Sequence, residues 1–317
     1  MSLREDLETF GKMFGVNAMA QTDIILPAEP TRDLPAIRTI GLADLKDALA
    51  KGLDDFRAMP THVVFLSVIY PIVGIALGAA TFGYDLIPLL FPLAAGFALI
   101  GPLAAIGLYE LSRRRELGLD TSWKHAFDIL HSPSVWGMAA LGLLLLTLFA
   151  VWLAVAQAIY VAAFGIDEPV SALAFARKVL TTPEGYHLIV AGNAVGFIFA
   201  VVAFAVSVVS FPLLLDRHVG VAAAIVTSVR AVLKNPVTMA AWGLLVAIAL
   251  AIGSLPFFIG LAVVMPILGH STWHLYRKVV EPDDGSRPEF HPEPKRRRYA
   301  ADFPVSLFVP SSRADQP

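Results

Sequence analysis

From Val135 to Phe164 the chain runs for 30 residues without an Asp, Glu, Lys or Arg. At 1.5 Å of rise per residue, a helix of that length exceeds the roughly 30 Å hydrocarbon core of a bilayer. In that medium a helix is the simplest structure that satisfies its own backbone N–H and C=O groups. Comparable apolar runs cover about 62–80, 87–109, 187–215, 237–253 and 255–276. The expectation is therefore an all-α, polytopic membrane bundle of about six transmembrane helices. Composition agrees, with 56% hydrophobic residues, only 16% charged and a mean hydropathy of +0.68, well outside the balance of a soluble domain.

The cations orient this arrangement. Of 24 Lys and Arg, only Arg177 and Lys178 fall in a loop on the far side, so the positive-inside rule places both termini in the cytoplasm. The expected location is a bacterial inner (plasma) membrane, crossed several times. Residues 1–40, with Pro27, Pro30 and Pro35, read as a flexible cytoplasmic tail; 41–280 form the integral membrane domain; 281–317, with Lys295-Arg296-Arg297-Arg298, read as a disordered basic tail. The first residues lack a basic segment followed by an apolar one, and no cleaved signal is expected. Residues 166–186 are too polar to cross and suggest a short interfacial helix on the far side.

A net charge of −2 provides no global basic field, and no nucleic-acid partner is expected. The expected partners are the lipid bilayer and other membrane-protein subunits. The absence of cysteine excludes disulfides, thiolate metal sites and cysteine nucleophiles.

The pattern repeats three times. DDFRAMP before Thr61, FDILHSP before Ser134 and RAVLKNP before Val237 are amphipathic segments ending in proline, each leading into a pair of spans. The second span of each pair carries a proline, Pro102, Pro212 or Pro266, shortly before a charged exit: YELSRR, LLDRHVG or WHLYRK. Three hairpins, each preceded by a cytoplasmic amphipathic helix, would form a pseudo-threefold bundle. The first amphipathic helix presents Leu42, Leu45, Leu49, Leu53, Phe56 and Met59 on one face, with Asp44, Asp47, Asp54 and Asp55 among the residues of the other.

Few residues carry chemistry. His270 and His274 lie one helical turn apart and are the weak candidates for metal ligation. Trp273 and Tyr276 beside them favour interfacial anchoring instead, and no carboxylate is apparent at matching depth. Arg113, Arg114 and Arg115 read as a basic cluster at the membrane surface in contact with lipid headgroups. Within the spans, Gly74, Gly78, Gln157, Gly192, Asn193 and Gly196 are candidates for helix packing or a cavity. Asn193 in particular reads as an interhelical hydrogen-bonding residue between small neighbours. No catalytic constellation reaches motif strength, and no cofactor is expected.

The runs GFALIGPLAAIGLYELSRRRE, TTPEGYHLIVAGNAVGFIFAVVAFAVSVVSFPLLLDR and GLAVVMPILGHSTWHLYRKVV resemble a bacterial family of predicted integral membrane proteins, domain of unknown function 2189, over about Gly41 to Val280. Some members carry a cytochrome c oxidase subunit label. The resemblance implies no catalytic residues to carry over, and a haem–copper core would need more intramembrane histidines than this chain has. The function expected is structural or accessory to a membrane complex, including a respiratory oxidase-associated one. The alternative is an uncoupled transporter, channel or lipid-handling protein with a polar cavity reaching Gln157 or Asn193. An enzyme is the least supported class.

Overall fold

The computed structural model describes residues 34–59, 105–166, 171–255 and 258–282, together with isolated positions between 72 and 102. Among the described residues the chain is helical, apart from one antiparallel bridge between Ile37 and Val280. The helices are α1 (Leu42–Ala58), α2 (Ile106–Glu116), α3 (Val135–Phe164), α4 (Ala172–Thr181), α5 (Pro183–Ser207), α6 (Ser210–Asp216), α7 (Val221–Lys234), α8 (Pro236–Ser254) and α9 (Leu261–Val279), with 3-10 turns at Ile87–Leu89 and Trp123–His131.

Three helical stretches are long and apolar enough to cross a membrane: Val135–Phe164, Pro183–Asp216 and Pro236–Ser254. They correspond to the third, fourth and fifth expected spans. The expected spans 62–80 and 87–109 lie mostly outside the described residues, as do Gly74 and Gly78. The expected sixth span, 255–276, overlaps α9, which starts at Leu261 and is not among the three stretches that meet this criterion. It is largely buried against other helices.

Local sequence accounts for the ends and breaks. In α1 the Asp44 carboxylate reaches back to the Gly41 N–H at 2.9 Å, satisfying one of the donors a helix start leaves open. Thr182 caps α5 by accepting from Gly185 N–H at 3.1 Å, and Pro183 occupies a first-turn position where its missing N–H costs nothing. After α2 the chain closes with Leu119 N–H on Arg114 C=O at 2.9 Å and Gly118 N–H on Arg115 C=O at 3.1 Å. This Schellman geometry needs the left-handed φ of 69° that Gly118 adopts. The break at Val208–Val209 between α5 and α6 lies four residues before Pro212, where the proline ring would clash with the preceding turn. Helix α7 repairs it: Ser228 Oγ accepts from Val209 N–H at 3.1 Å, and Ser210 Oγ donates to Ala224 C=O at 3.0 Å.

Apolar residues divide into two populations. Leu111, Phe211, Leu213, Met239, Trp242 and Leu275 form a core with almost no exposure, concentrated where α2, α6, α8 and α9 meet. Along α3, α5 and α8, by contrast, Leu143, Phe197, Ile198 and Leu244 are more than half exposed. Such a continuous apolar exterior belongs in contact with hydrocarbon rather than water.

The packing of the short segments follows a cycle. The 123–131 turn packs on α2, α7 packs on α6, and α1 packs on α9, while α2, α6 and α9 also touch one another. In sequence terms, the amphipathic segment of each unit lies against the exit helix of the unit before it, and the first lies against the last.

Candidate functional site

The polar chemistry of the described chain is gathered where those exit helices meet the amphipathic segments. Helix α1 buries Leu45, Ala48, Gly52 and Asp55, spaced three or four apart along one stripe. Leu49, Leu53 and Phe56, expected at the centre of the apolar face, are only partly buried, and Leu42 is exposed. Gly52 sets this rotation. A Cβ there would lie 2.0 Å from Ser271 Oγ and 2.6 Å from Ser271 N, so only glycine lets α1 approach α9 so closely.

The result is that Asp55, read from sequence as part of a solvated face, is 3% exposed. Its carboxylate accepts from Ser112 Oγ at 2.6 Å, from His274 Nε2 at 2.8 Å and from Arg115 Nη1. Because the Ser112 hydroxyl donates to Asp55, its oxygen is free to accept from Nδ1–H of His270 at 2.7 Å. Burial works against the charge on Asp55, but the bonds from His274, Ser112 and Arg115 outweigh it and hold the carboxyl below the usual carboxylate range. One carboxylate thus joins α1, α2 and α9.

A second group links α2, α6 and α9. Tyr276 donates to Asp216 Oδ2 at 2.7 Å, and Arg277 Nη1 lies 3.4 Å from the same oxygen. Arg277 Nε and Trp273 Nε1 both donate to Glu116, each at 3.0 Å. Within α2, Arg113 grips Glu110 with Nε at 2.7 Å and Nη2 at 3.0 Å, a charge-assisted fork. A third group ties α2 to the 123–131 turn: Arg114 reaches Asp128 at 3.3 Å, and His125 bonds Asp128 at 2.6 Å and Asp120 at 3.0 Å.

A segment before α1 completes the assembly. Ile37 pairs with Val280, Arg38 N–H donates to Val279 C=O at 2.7 Å, and Glu281 N–H donates to Ala36 C=O at 3.0 Å. The buried Asn235 accepts from Ile40 N–H at 2.8 Å and donates to Arg38 C=O at 3.0 Å. Residues 34–40 are therefore packed, not part of a loose tail; the tails at 1–33 and 283–317 lie outside the described residues.

These contacts revise several expectations. Arg113 and Arg114 are buried and ion-paired, and Arg115 is shared between Asp54 and Asp55, so the three turn inward instead of forming a basic surface for lipid. Trp273 and Tyr276 are fully buried hydrogen-bond donors, not a belt at a water boundary. His270 and His274 converge on Asp55, the carboxylate at matching depth that the linear sequence does not reveal because it lies 215 and 219 residues away. Among the described residues, no group of three or more His, Asp or Glu is arranged to hold a metal.

In α5, Asn193 is exposed and donates to Ile189 C=O of its own helix at 2.7 Å, and it bonds no other helix among the described residues. Gln157 is likewise exposed. The two glycines beside Asn193 differ: at Gly196 a Cβ would lie 2.9 Å from the Trp152 ring, whereas Gly192 has nothing within 4 Å.

A half-open cavity of about 280 Å³ adjoins the Asp55 group, lined by Lys51, Asp54, Asp55, Arg115, Glu116 and His274. Its charges are spent within the protein: Lys51 pairs with Asp47, Arg115 with the two aspartates, and Glu116 with Arg277. The Asp55–Ser112–His270 chain runs in the wrong order for nucleophilic catalysis, with the carboxylate on the hydroxyl rather than on the imidazole, and Ser112 is 1% exposed. What this arrangement does chemically is to hold helices together.

Residues 90–216 match the sequence model of a family described as predicted integral membrane protein (DUF2189). The match is shorter than the 41–280 suggested by resemblance, and it covers α2 through α6. No curated protein and no solved structure matches the chain.

Proposed function

We propose, for a chain carrying that family signature and three helices able to cross a membrane, a structural or accessory role in a complex of the bacterial inner membrane. Both termini lie in the cytoplasm in this reading, with the junction of α1, α2, α6 and α9 on the same side. The observation that carries it is that the charged groups of that junction are spent on one another; the neutral His270 Nε2 and Ser271 Oγ are buried there without a hydrogen-bond partner among the described residues. Each exit helix is tied by ion pairs or hydrogen bonds to a neighbour, and the carboxylates at its centre face protein donors instead of a passage. A protein whose buried charges serve to lock helices supplies a rigid body in the membrane. The six-span, three-hairpin plan is supported by the cyclic packing of amphipathic segments on exit helices. A transporter or lipid-handling cavity reaching Gln157 or Asn193 gains no support, since both side chains lie on the outer surface.

Affinity purification of the tagged protein from gently solubilised native membranes, with mass spectrometry of what accompanies it, tests this reading. A stoichiometric set of other membrane subunits is the expected result. Recovery of the protein without other subunits, together with solute or lipid flux in reconstituted vesicles, would overturn it.

A further inference from the structure

Helix α3 runs antiparallel to the α5–α6 stretch, since Gly137 lies against Leu214 of α6 at one end and Trp152 against Gly196 and Phe199 of α5 further along. Gln157 lies five residues beyond Trp152, and Asn193 lies three residues before Gly196 and six before Phe199. At 1.5 Å per residue both amides therefore sit at the same level, about 7 Å past the Trp152 contact. With the 30-residue α3 centred in the bilayer, that level is about 11 Å from the midplane, inside the roughly 15 Å half-thickness of hydrocarbon.

Both side chains are exposed on a surface that is otherwise apolar, with Val190 and Phe197 flanking Asn193 one turn away on either side. Among the described residues, Asn193 makes a single hydrogen bond, to its own helix, and Gln157 makes none. An amide offers two donors and an acceptor, and leaving them unmet in lipid is costly.

We infer that this α3–α5 face is where two copies of the chain meet inside the membrane, Gln157 of each bonding Asn193 of the other. Equal depth is the reason for choosing a second copy. Rotation by 180° about the membrane normal brings each Gln157 level with the other copy's Asn193, so one geometry is satisfied twice, as an isologous interface requires. Amides are self-complementary donors and acceptors, so the pairing needs no second kind of side chain. The inference deepens the structural reading above, from which it takes the outward role of these amides.

The absence of cysteine allows a clean test in native membranes. Val190→Cys and Ala154→Cys place a thiol on this face, each three residues from one of the two amides, and Leu244→Cys places one on the exposed face of α8. A short bifunctional thiol reagent is expected to give a covalent dimer of twice the chain mass with one or both of the first two variants and not with the third. Adding Gln157→Leu and Asn193→Leu should cut the dimer yield about tenfold, while the unfolding temperature of the solubilised monomer stays unchanged. Monomer alone in every variant, equal cross-linking at Leu244→Cys, or an adduct of another mass would each overturn the inference. A dimer recovered without other subunits would sustain it while counting against the accessory role; a heteromeric complex lacking the dimer would do the reverse.

Discussion

Replacing Asp55 by Asn keeps the shape of the side chain and removes the charge on which three donors converge. A hydrogen bond to a charged group contributes about 1.5–3 kcal/mol, but the three here share one carboxylate and cannot be summed as independent terms. Arg115 has a side chain 35% exposed and keeps its 2.8 Å contact with Asp54, so its share is small. Ser112 and His274 remain, and the Asn carbonyl can serve one of them well. The docking of α1 on α9 should therefore weaken by about 2–4 kcal/mol, or roughly 30- to 1,000-fold faster hydrogen exchange through local opening. Mass-resolved exchange over 42–58 in detergent or nanodiscs measures this directly, with 236–254 as the internal control. The sign with pH is also determined. Because the Asp55 carboxyl is held below its ordinary value, its stabilisation is fully present above about pH 4 and is lost as pH falls through the lower, folded-state value. The difference between Asp55→Asn and the parent should thus persist at pH 5 and vanish in stronger acid. Exchange within threefold of the parent at pH 7 would refute the claim that Asp55 holds α1 in place.

Other substitutions probe the remaining contacts. Gly52→Ala puts a methyl 2.0 Å from Ser271 Oγ and 2.6 Å from its backbone nitrogen; since backbone must move, thermal unfolding in detergent should show a loss of about 1–3 kcal/mol or more. Glu110→Gln leaves the buried Arg113 with a neutral partner, and a loss of about 3 kcal/mol is expected by the same assay. Asn235→Ala removes two of the bonds that pin residues 38 and 40, so exchange should accelerate over 34–40 and leave α8 protected, a cost of about 1–3 kcal/mol. Gly196→Ala, which meets the Trp152 ring at 2.9 Å, should lower the unfolding temperature more than Gly192→Ala, whose added methyl has nothing within 4 Å among the described residues.

What the sequence reveals depends on the range of the interaction. The apolar runs at 135–164, 187–215 and 237–253 appear as helices because their signal lies within a single helix length. The prolines that start α5 and α8 and the break ahead of Pro212 also act locally, but a linear reading runs the fourth span unbroken over 187–215 and leaves Pro183 in the interfacial segment. The polar junction is hidden because its partners are distant. Asp55 finds Ser112 at 57 residues and His274 at 219, and neither spacing has a signature. A clue to its burial is local, in the stripe Leu45, Ala48, Gly52 and Asp55, whose small residues mark a close crossing better than the larger side chains at Leu49 and Leu53 do. Helix α9 misleads for the same reason: His270, Ser271, Trp273 and Tyr276 look interfacial in a linear reading but face α1, α2 and α6 in the fold.

The cyclic packing gives α1 a different standing from the other two amphipathic segments. The 123–131 turn docks on α2, which ends only seven residues before it, and α7 docks on α6, which ends five residues before it. Those contacts close short loops and can form as soon as both members exist. Helix α1 instead docks on α9, about 200 residues later in the chain, so the cycle closes only when the last helix is in place. The specific polar contacts are concentrated at this late closure. Asp55 meets His274, Lys278 bridges Asp44 and Asp47, Gly52 seats on Ser271, and the 34–40 segment pairs with Val279–Glu281. A long-range closure must offset more chain entropy than a short one, and directional bonds reject misregistered alternatives that apolar contact alone would accept. The same reasoning explains why a buried carboxylate is kept at α1 when a hydrophobic residue would pack with less desolvation: it recognises the ends of α2 and α9 together.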